Sequence, residues 1–293
     1  MKKFKKGIVL AGGSGSRLYP LTFSISKQLL PIYDKPLIYY PLSVLMQADI
    51  REILIICTKR DINSFKNLLG DGSNYGIFIE YAIQDEPKGI ADAFILGDEF
   101  IGPDNVALIL GDNFYYGPQF KKFLKSACNR TSGATVFAYP VKDPERYGVV
   151  NFGTRDEIES IEEKPSNPKS NFACTGLYFF DNEVKNYAKS LKPSPRGELE
   201  ITDINKMYLS KNALCCEKLE SGFAWLDTGT IDSLIEASTF VQTIQKRQGE
   251  KIACLEGIAF KKGWIDRNKI LMSAGRYSDN EYGQYLKNLV NKK

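Results

Sequence analysis

Directly behind the apolar run Gly7 to Leu10 the chain reads VLAGGSGSRLYP, Val9 to Pro20, with three glycines, two serines and one arginine close together. Backbone N–H groups of a glycine-rich turn between a strand and a helix can converge on an anion, and an arginine can fork across phosphate oxygens. Gly12 to Gly15 would also serve as a plain tight turn. No GK[ST] follows, so this is not a P-loop. The dinucleotide pattern G-x-G-x-x-G, begun at Gly13 or Gly12, meets Leu18 or Arg17 where its last glycine belongs, which disfavours an NAD enzyme. The chain has no histidine. Ser-His-Asp and Cys-His catalysis and histidine-ligated metals are therefore excluded, and carboxylates, Lys, Arg and Tyr must carry any chemistry. Two aspartates stand out: Asp112 ends an apolar run where α/β folds place ligands, and Asp227 lies in WLDTG. Taken alone, either suits a turn or a helix cap.

Those residues need a scaffold, and the composition permits a large one. The 293 residues are 43% hydrophobic and 25% charged, enough for a sizeable core. The net charge of +4 comes from 39 basic and 35 acidic residues, interspersed rather than blocked. Neither a nucleic-acid nor a membrane surface is indicated. MKKFKKG is followed by too short an apolar run for a signal peptide, so a cytoplasmic location is expected. The six cysteines show no C-x-x-C spacing and sit mostly in apolar stretches, as reduced core thiols do; neither disulfides nor zinc are expected.

Strand-length apolar runs alternate with helix-period segments, which predicts a parallel α/β fold. Gly7 to Leu10, Glu52 to Thr58, IFIEYAI, Asn105 to Asp112 and ATVFAYPV read as strands. Pro36 to Ala48, with Pro36 in its first turn, Asp61 to Leu69, capped by Asp61, and Ile90 to Phe100 read as helices. Beyond about Tyr147 the short strands YGVVNF, IESIEEKP and CTGLYFF look like hairpins inserted at the sheet's edge. After AWLDTGT the chain is mainly helical. One catalytic domain over 1–240 with a helical extension over 241–293 is expected.

LAGGSGSRLYPLTFSISKQLLPIYDKPLIYYPL, Leu10 to Leu42, resembles the signature of sugar-nucleotide pyrophosphorylases, and SKQLLP points to the glucose-1-phosphate thymidylyltransferases. The likeness continues through LLGDGSNYG, LILGDNFYYG, DPERYGVV, IEEKPSNPKSN, TGLYFFD, KPSPRGELEITDIN and AWLDTGTIDSL, with order and spacing kept. It implies a Rossmann-like nucleotidyltransferase fold: a mostly parallel sheet with helices on both faces, inserted hairpins and a helical extension. It also implies synthesis of dTDP-glucose and pyrophosphate from dTTP and glucose 1-phosphate with Mg²⁺, in a homotetramer that feeds deoxysugar synthesis, for example of dTDP-rhamnose. A phosphate monoester has a second pKa of about 6, so the attacking phosphate of such a reaction is already ionised and needs no imidazole base.

By that resemblance Leu10, Gly12, Gly13, Ser14, Gly15 and Ser16 form the nucleotide loop, and Arg17 grips the phosphates that leave as pyrophosphate. Lys27 neutralises the α-phosphate, and Lys164 holds the phosphate of glucose 1-phosphate. Asp112 and Asp227 hold Mg²⁺, which prefers one or two carboxylates with phosphate oxygens and water. Gln28 and Gln84, helped by Gly89, read the pyrimidine. Tyr147, Gly148, Glu163, Thr175, Tyr178 and Trp225 meet the sugar, although Tyr178 and Trp225 also read as core. The chain departs from the family at Ser16, where Thr is usual, at Lys88 in DEPKG, at Cys174, and at Pro118 and Ser221, where relatives carry polar or basic residues beside a second, inhibitory nucleotide site. Feedback inhibition is accordingly expected to be weak. The rival readings are a uridylyltransferase, which would tend to carry Glu at Gln28, and a non-catalytic nucleotide sensor, which would lack these cations and aspartates.

Overall fold

A computed structural model describes residues 4–13, 15–277 and 280–291 of the chain. The first strand, β1 (Phe4–Ala11), is followed by two single 3-10 turns, Ser16–Leu18 and Lys27–Leu29, and a short hairpin of β2 (Pro31–Ile32) and β3 (Lys35–Pro36). Then come α1 (Tyr39–Gln47), β4 (Glu52–Cys57), α2 (Ile62–Leu69), β5 (Phe78–Ile83), α3 (Asp92–Leu96), α4 (Asp98–Ile101), β6 (Asn105–Leu110), β7 (Asn113–Tyr116), α5 (Phe120–Asn129) and β8 (Ala134–Pro140). The hairpin β9 (Gly148–Phe152) and β10 (Ile158–Glu163) leads to β11 (Phe172–Phe180), α6 (Val184–Ser190), α7 (Ile201–Ser210), β12 (Leu214–Lys218) and β13 (Ala224–Asp227). Four helices end the chain: α8 (Ile231–Gln248), α9 (Leu255–Lys261), α10 (Arg267–Arg276) and α11 (Glu281–Leu289).

The main sheet runs β10-β9-β11-β6-β1-β4-β5, with β8 beside β11 and β12 beside β8. Its centre β6-β1-β4-β5 is parallel. Both faces are covered, so the central strands are continuous apolar runs whose side chains alternate between two cores. Val9, Ile55 and Ile109 pack with α1, α2, α5 and the C-terminal helices. Ile8, Leu54 and Leu108 pack with α3, α4, α6 and α7. A third cluster joins Leu18, Ile32 and Tyr40 to Leu234 and Val241 of α8.

Several local expectations are corrected. Phe172–Phe180 is no edge hairpin: β11 lies inside the sheet, antiparallel to β6, because Leu177 and Phe179 enter one core while Tyr178 and Phe180 enter the other. The expected helix Ile90 to Phe100 is broken at Gly97, where a Cβ would stand 2.9 Å from Ala93 O and 3.1 Å from Ile8 on the sheet. Pro36 is in a strand rather than a helix, because Lys35–Pro36 pairs back onto Pro31–Ile32. Asp61 precedes α2 but spends its carboxylate on the Thr58 hydroxyl, at 2.7 Å, and on Arg60 rather than on the helix backbone. The glycine loop is followed by one 3-10 turn, not an α-helix, so no helix dipole stands behind it.

Candidate active site

The site is assembled by register. Beyond β6 the chain turns through Gly111 and Asp112 into β7, which pairs antiparallel with β13 so that Asp227 stands opposite Asn113. Thr228 completes the join by donating its N–H, at 3.2 Å, and its hydroxyl, at 2.8 Å, to the Asp112 carbonyl. Two carboxylates far apart in sequence thereby share one corner. Lys27, only 6% exposed, projects from its 3-10 turn and donates to Asp112 Oδ2 at 2.7 Å, while Asn113 Nδ2 donates to Oδ1 at 2.8 Å. Burial works against a charge on Asp112, yet these partners hold its carboxyl below the ordinary value of 3.8. Asp227 moves the other way: burial and the negative charge of Asp112 raise it, opposed by Arg146, whose guanidinium lies 3.6 Å away.

Arg17 comes to this corner from the glycine loop. A Cβ at Gly229 would lie 3.2 Å from its Nη2 and 3.4 Å from Asp227 Oδ2, so the glycine after Thr228 makes room for both. The loop is closed by Thr22, whose hydroxyl donates to Gly15 O at 2.7 Å; Gly15 itself is left-handed (φ 66°). Arg17 and Asp112 line two cavities. The first, about 250 Å³, is bounded by Gly13, Gly15, Ser16, Lys27, Gln28 and Pro87. The second, about 470 Å³, is bounded by Tyr147, Gly148, Glu163, Lys164, Tyr178 and Trp225.

Most of the residues singled out in the sequence meet here, but not all. Leu10, Gly12, Gln84 and Gly89 line neither cavity: the Leu10 carbonyl accepts from Gly111 N at 2.9 Å, and Gly12 packs beneath Gln84, whose Oε1 a Cβ would meet at 2.4 Å. Gly89 is left-handed (φ 101°) and pressed against the Leu199 backbone. Along β11, Cys174, Gly176 and Tyr178 line the larger cavity while the buried Thr175 between them does not. Ser14 lies outside the described residues. Lys164 is exposed, follows β10 and is itself left-handed (φ 43°), a costly conformation of the kind that collects at functional sites. Its N–H donates to Tyr147 O at 3.0 Å.

Sequence reasoning missed four contributors. Asn113 Oδ1 accepts from Trp225 Nε1 at 2.6 Å and from Gly176 N at 3.2 Å, tying β7, β13 and β11 together. Arg146 faces Asp227. Arg196 spans Glu163 and Glu200 at the rim, and Thr202 donates to Glu163 Oε2 at 2.5 Å. The position of Asn113 directly after Asp112, of Arg146 inside DPERYGVV, and of Arg196 and Thr202 inside KPSPRGELEITDIN could have flagged them. Pro118 and Ser221 line neither of these two cavities. A separate space of about 270 Å³ beside Gly117 is bordered by Lys121, Lys251, Lys261 and Lys262.

A mixed sheet with a parallel centre, whose strand ends carry a glycine loop, two aspartates and several cations, defines a nucleotidyltransferase, and the nucleotidyl transferase family matches residues 6–244. The chain belongs to that family. It is 60% identical over 287 residues to a glucose-1-phosphate thymidylyltransferase of Neisseria meningitidis, covering 98% of this chain and 100% of that one. It is 52% identical over 285 residues to the enzyme of that name from Mycobacterium tuberculosis, covering 97% and 99%. A crystal structure described as a Bacillus anthracis glucose-1-phosphate thymidylyltransferase in complex with a sucrose superposes with a TM-score of 0.75 at 44% identity, over 80% of this chain and 94% of that one. A UDP-glucose pyrophosphorylase complexed with UDP-glucose shares the fold, with a TM-score of 0.73 at 24% identity over 82% and 99%.

Proposed function

We propose that the protein transfers a thymidylyl group from dTTP to glucose 1-phosphate, giving dTDP-glucose and pyrophosphate. The observation that carries this reading is the meeting of the two cavities at Arg17 and Asp112, which suits a triphosphate on one side and a sugar phosphate on the other. The smaller cavity would take dTTP, with Gln28 of its wall and Gln84, behind Gly12, on the base and Arg17 on the phosphates that leave. The larger would take glucose 1-phosphate, its phosphate on Lys164 and Arg196 and its hydroxyls on Glu163. Because the attacking oxygen is ionised near neutral pH, no side chain must remove a proton. The residues act by bringing two polyanions into line and neutralising the charge that develops.

The convergent pair Asp112 and Asp227, one carboxyl raised by the other's charge, suits a divalent cation that takes one or two carboxylates. Mg²⁺ bound there would withdraw charge from the phosphates. Lys27, now on Asp112, is placed to turn to the α-phosphate, and Arg146 balances Asp227. Among the described residues no helix is long and apolar enough to cross a membrane. The reading extends to a cytoplasmic homotetramer, for which exposed Ile235 on α8 and Met272 on α10 offer apolar contact surface, and to supply of dTDP-deoxysugar synthesis.

Pyrophosphate release, measured for each nucleoside triphosphate with each sugar 1-phosphate, tests the reading. dTTP with glucose 1-phosphate is expected to be fastest, with some use of UTP, since one methyl group is worth only about 1–3 kcal/mol. Preference for CTP, GTP or mannose 1-phosphate would refute it.

A further inference from the structure

Each of the two amides assigned to the base already has one end engaged. Asp92, buried in the first turn of α3, accepts a hydrogen bond from Gln84 Nε2 at 2.9 Å. A carboxylate only accepts, so the nitrogen of this amide must face Asp92. Its oxygen then faces Gly12, close enough that only a glycine fits. Gln28, in the wall of the smaller cavity, is held by Ser26 Oγ, which accepts from Gln28 N at 3.4 Å and donates to Gln28 Oε1 at 2.6 Å, leaving Gln28 Nε2 for the cavity. Among the described residues neither Gln84 Oε1 nor Gln28 Nε2 has a hydrogen-bond partner. Gln84 thus offers a fixed acceptor, because Asp92 can only accept, whereas the Ser26 hydroxyl both donates and accepts and leaves Gln28 able to turn.

We propose that Asp92 is a positioning residue that locks the Gln84 amide, and that this lock selects an imide-edged pyrimidine over cytosine. The proposal rests on the reading of the smaller cavity as the nucleotide site. Thymine and uracil present an acceptor, O4, beside a donor, N3–H, which Gln28 Nε2 and Gln84 Oε1 complement. Cytosine reverses both groups, with an amino donor beside a bare N3. To take cytosine in the same orientation both amides must turn over. Gln84 Oε1 would then face the Asp92 carboxylate, two acceptors with no proton between them, in a buried place where an unmade hydrogen bond is costly. The lock is blind to the methyl group, so it separates dTTP and dUTP from dCTP and not from each other.

Asp92→Asn keeps the size of the side chain but can donate as well as accept, so Gln84 is free to turn over. Calorimetric titration of dUTP and dCTP, which differ only at the base edge, reads the preference of wild type and variant without requiring turnover. The preference for dUTP is expected to fall at least about tenfold in Asp92→Asn, the size of one mispaired buried hydrogen bond. Ser26→Ala, which removes a hydroxyl able to hold either end of the Gln28 amide, should leave the preference unchanged, and the KM for glucose 1-phosphate should be unchanged in both. A merely structural role would weaken both nucleotides alike. An unchanged dUTP-to-dCTP ratio in an Asp92→Asn protein that melts as wild type does overturns the lock. Failure of the wild type to release pyrophosphate from dTTP would instead strike the proposed reaction, leaving the binding ratio to judge the lock.

Discussion

The two halves of the site are built in opposite ways. The smaller cavity is walled mainly by loops and single 3-10 turns: Gly13, Gly15 to Leu18, Lys27 and Gln28, and Pro87. Apart from Pro87, Asp112 and Gly229, its groups lie within one short stretch of sequence. The larger cavity is walled by strands β9, β10, β11 and β13, and its groups depend on inter-strand register. A local turn carries its chemistry wherever it is placed, whereas a strand-built wall exists only when distant strands pair correctly. Asp112 and Arg17 belong to both, so the transfer step depends on the seam between them.

The largest test strikes that seam. Asp227→Asn is expected to cut turnover about a hundred- to a thousandfold, the usual effect of removing one positioned electrostatic group, with partial recovery in excess Mg²⁺. Lys164→Ala should instead raise the KM for glucose 1-phosphate, without rescue by the metal. An Asp227→Asn protein with near-normal turnover at limiting Mg²⁺ would make this aspartate a structural cap.

A smaller effect is expected on the strand-built side. A Cβ at Gly176 would stand 2.7 Å from Leu110 and 2.8 Å from Asn113 Oδ1, the atom that also holds Trp225. Gly176→Ala should therefore cost about 1–3 kcal/mol of stability in denaturant unfolding and lower turnover with both substrates. If stability fell while kinetics stayed normal, Asn113 would not be the tie between β11 and the aspartates.

The smallest effect lies behind the loop-built side. Asp34, in the turn between β2 and β3, pairs with Lys35 and, at 2.7 Å, with Lys251 beyond α8. Burial works to raise its carboxyl, but Lys35 and Lys251 bring it below 3.8. A depressed native value contributes stability above the unfolded pKa and loses it as pH falls through the native one. The stability gap between wild type and Asp34→Asn should thus be full near pH 6 and shrink below about pH 3.8 in urea titrations. A gap independent of pH would detach Asp34 from its lysines.

How much was legible follows the same division. The parallel sheet could be read because strands buried on both faces show as unbroken apolar runs, as in Asn105 to Leu110. β11 was misread as an edge hairpin because an apolar run does not state which strands flank it. The break in the Ile90 to Phe100 helix depends on the distance from Gly97 to Ile8, which no local pattern encodes. The roles of Asn113, Arg146 and Arg196 were unread because each acts through a residue distant in sequence.

By itself the sequence determined the reaction class. The ordered motifs from Leu10 to AWLDTGTIDSL carry the resemblance to sugar-nucleotide pyrophosphorylases, and the missing histidine fits an attacking phosphate that needs no imidazole base, since side-chain chemistry is a property of composition. Tertiary structure decided which of these groups meet: the β7–β13 register joins Asp227 to Asp112, and the approach of α3 to the glycine loop turns Gln84 so that its oxygen faces Gly12. Distances of a few ångströms between residues separated by long stretches of chain are set by packing, and packing is a property of the folded whole.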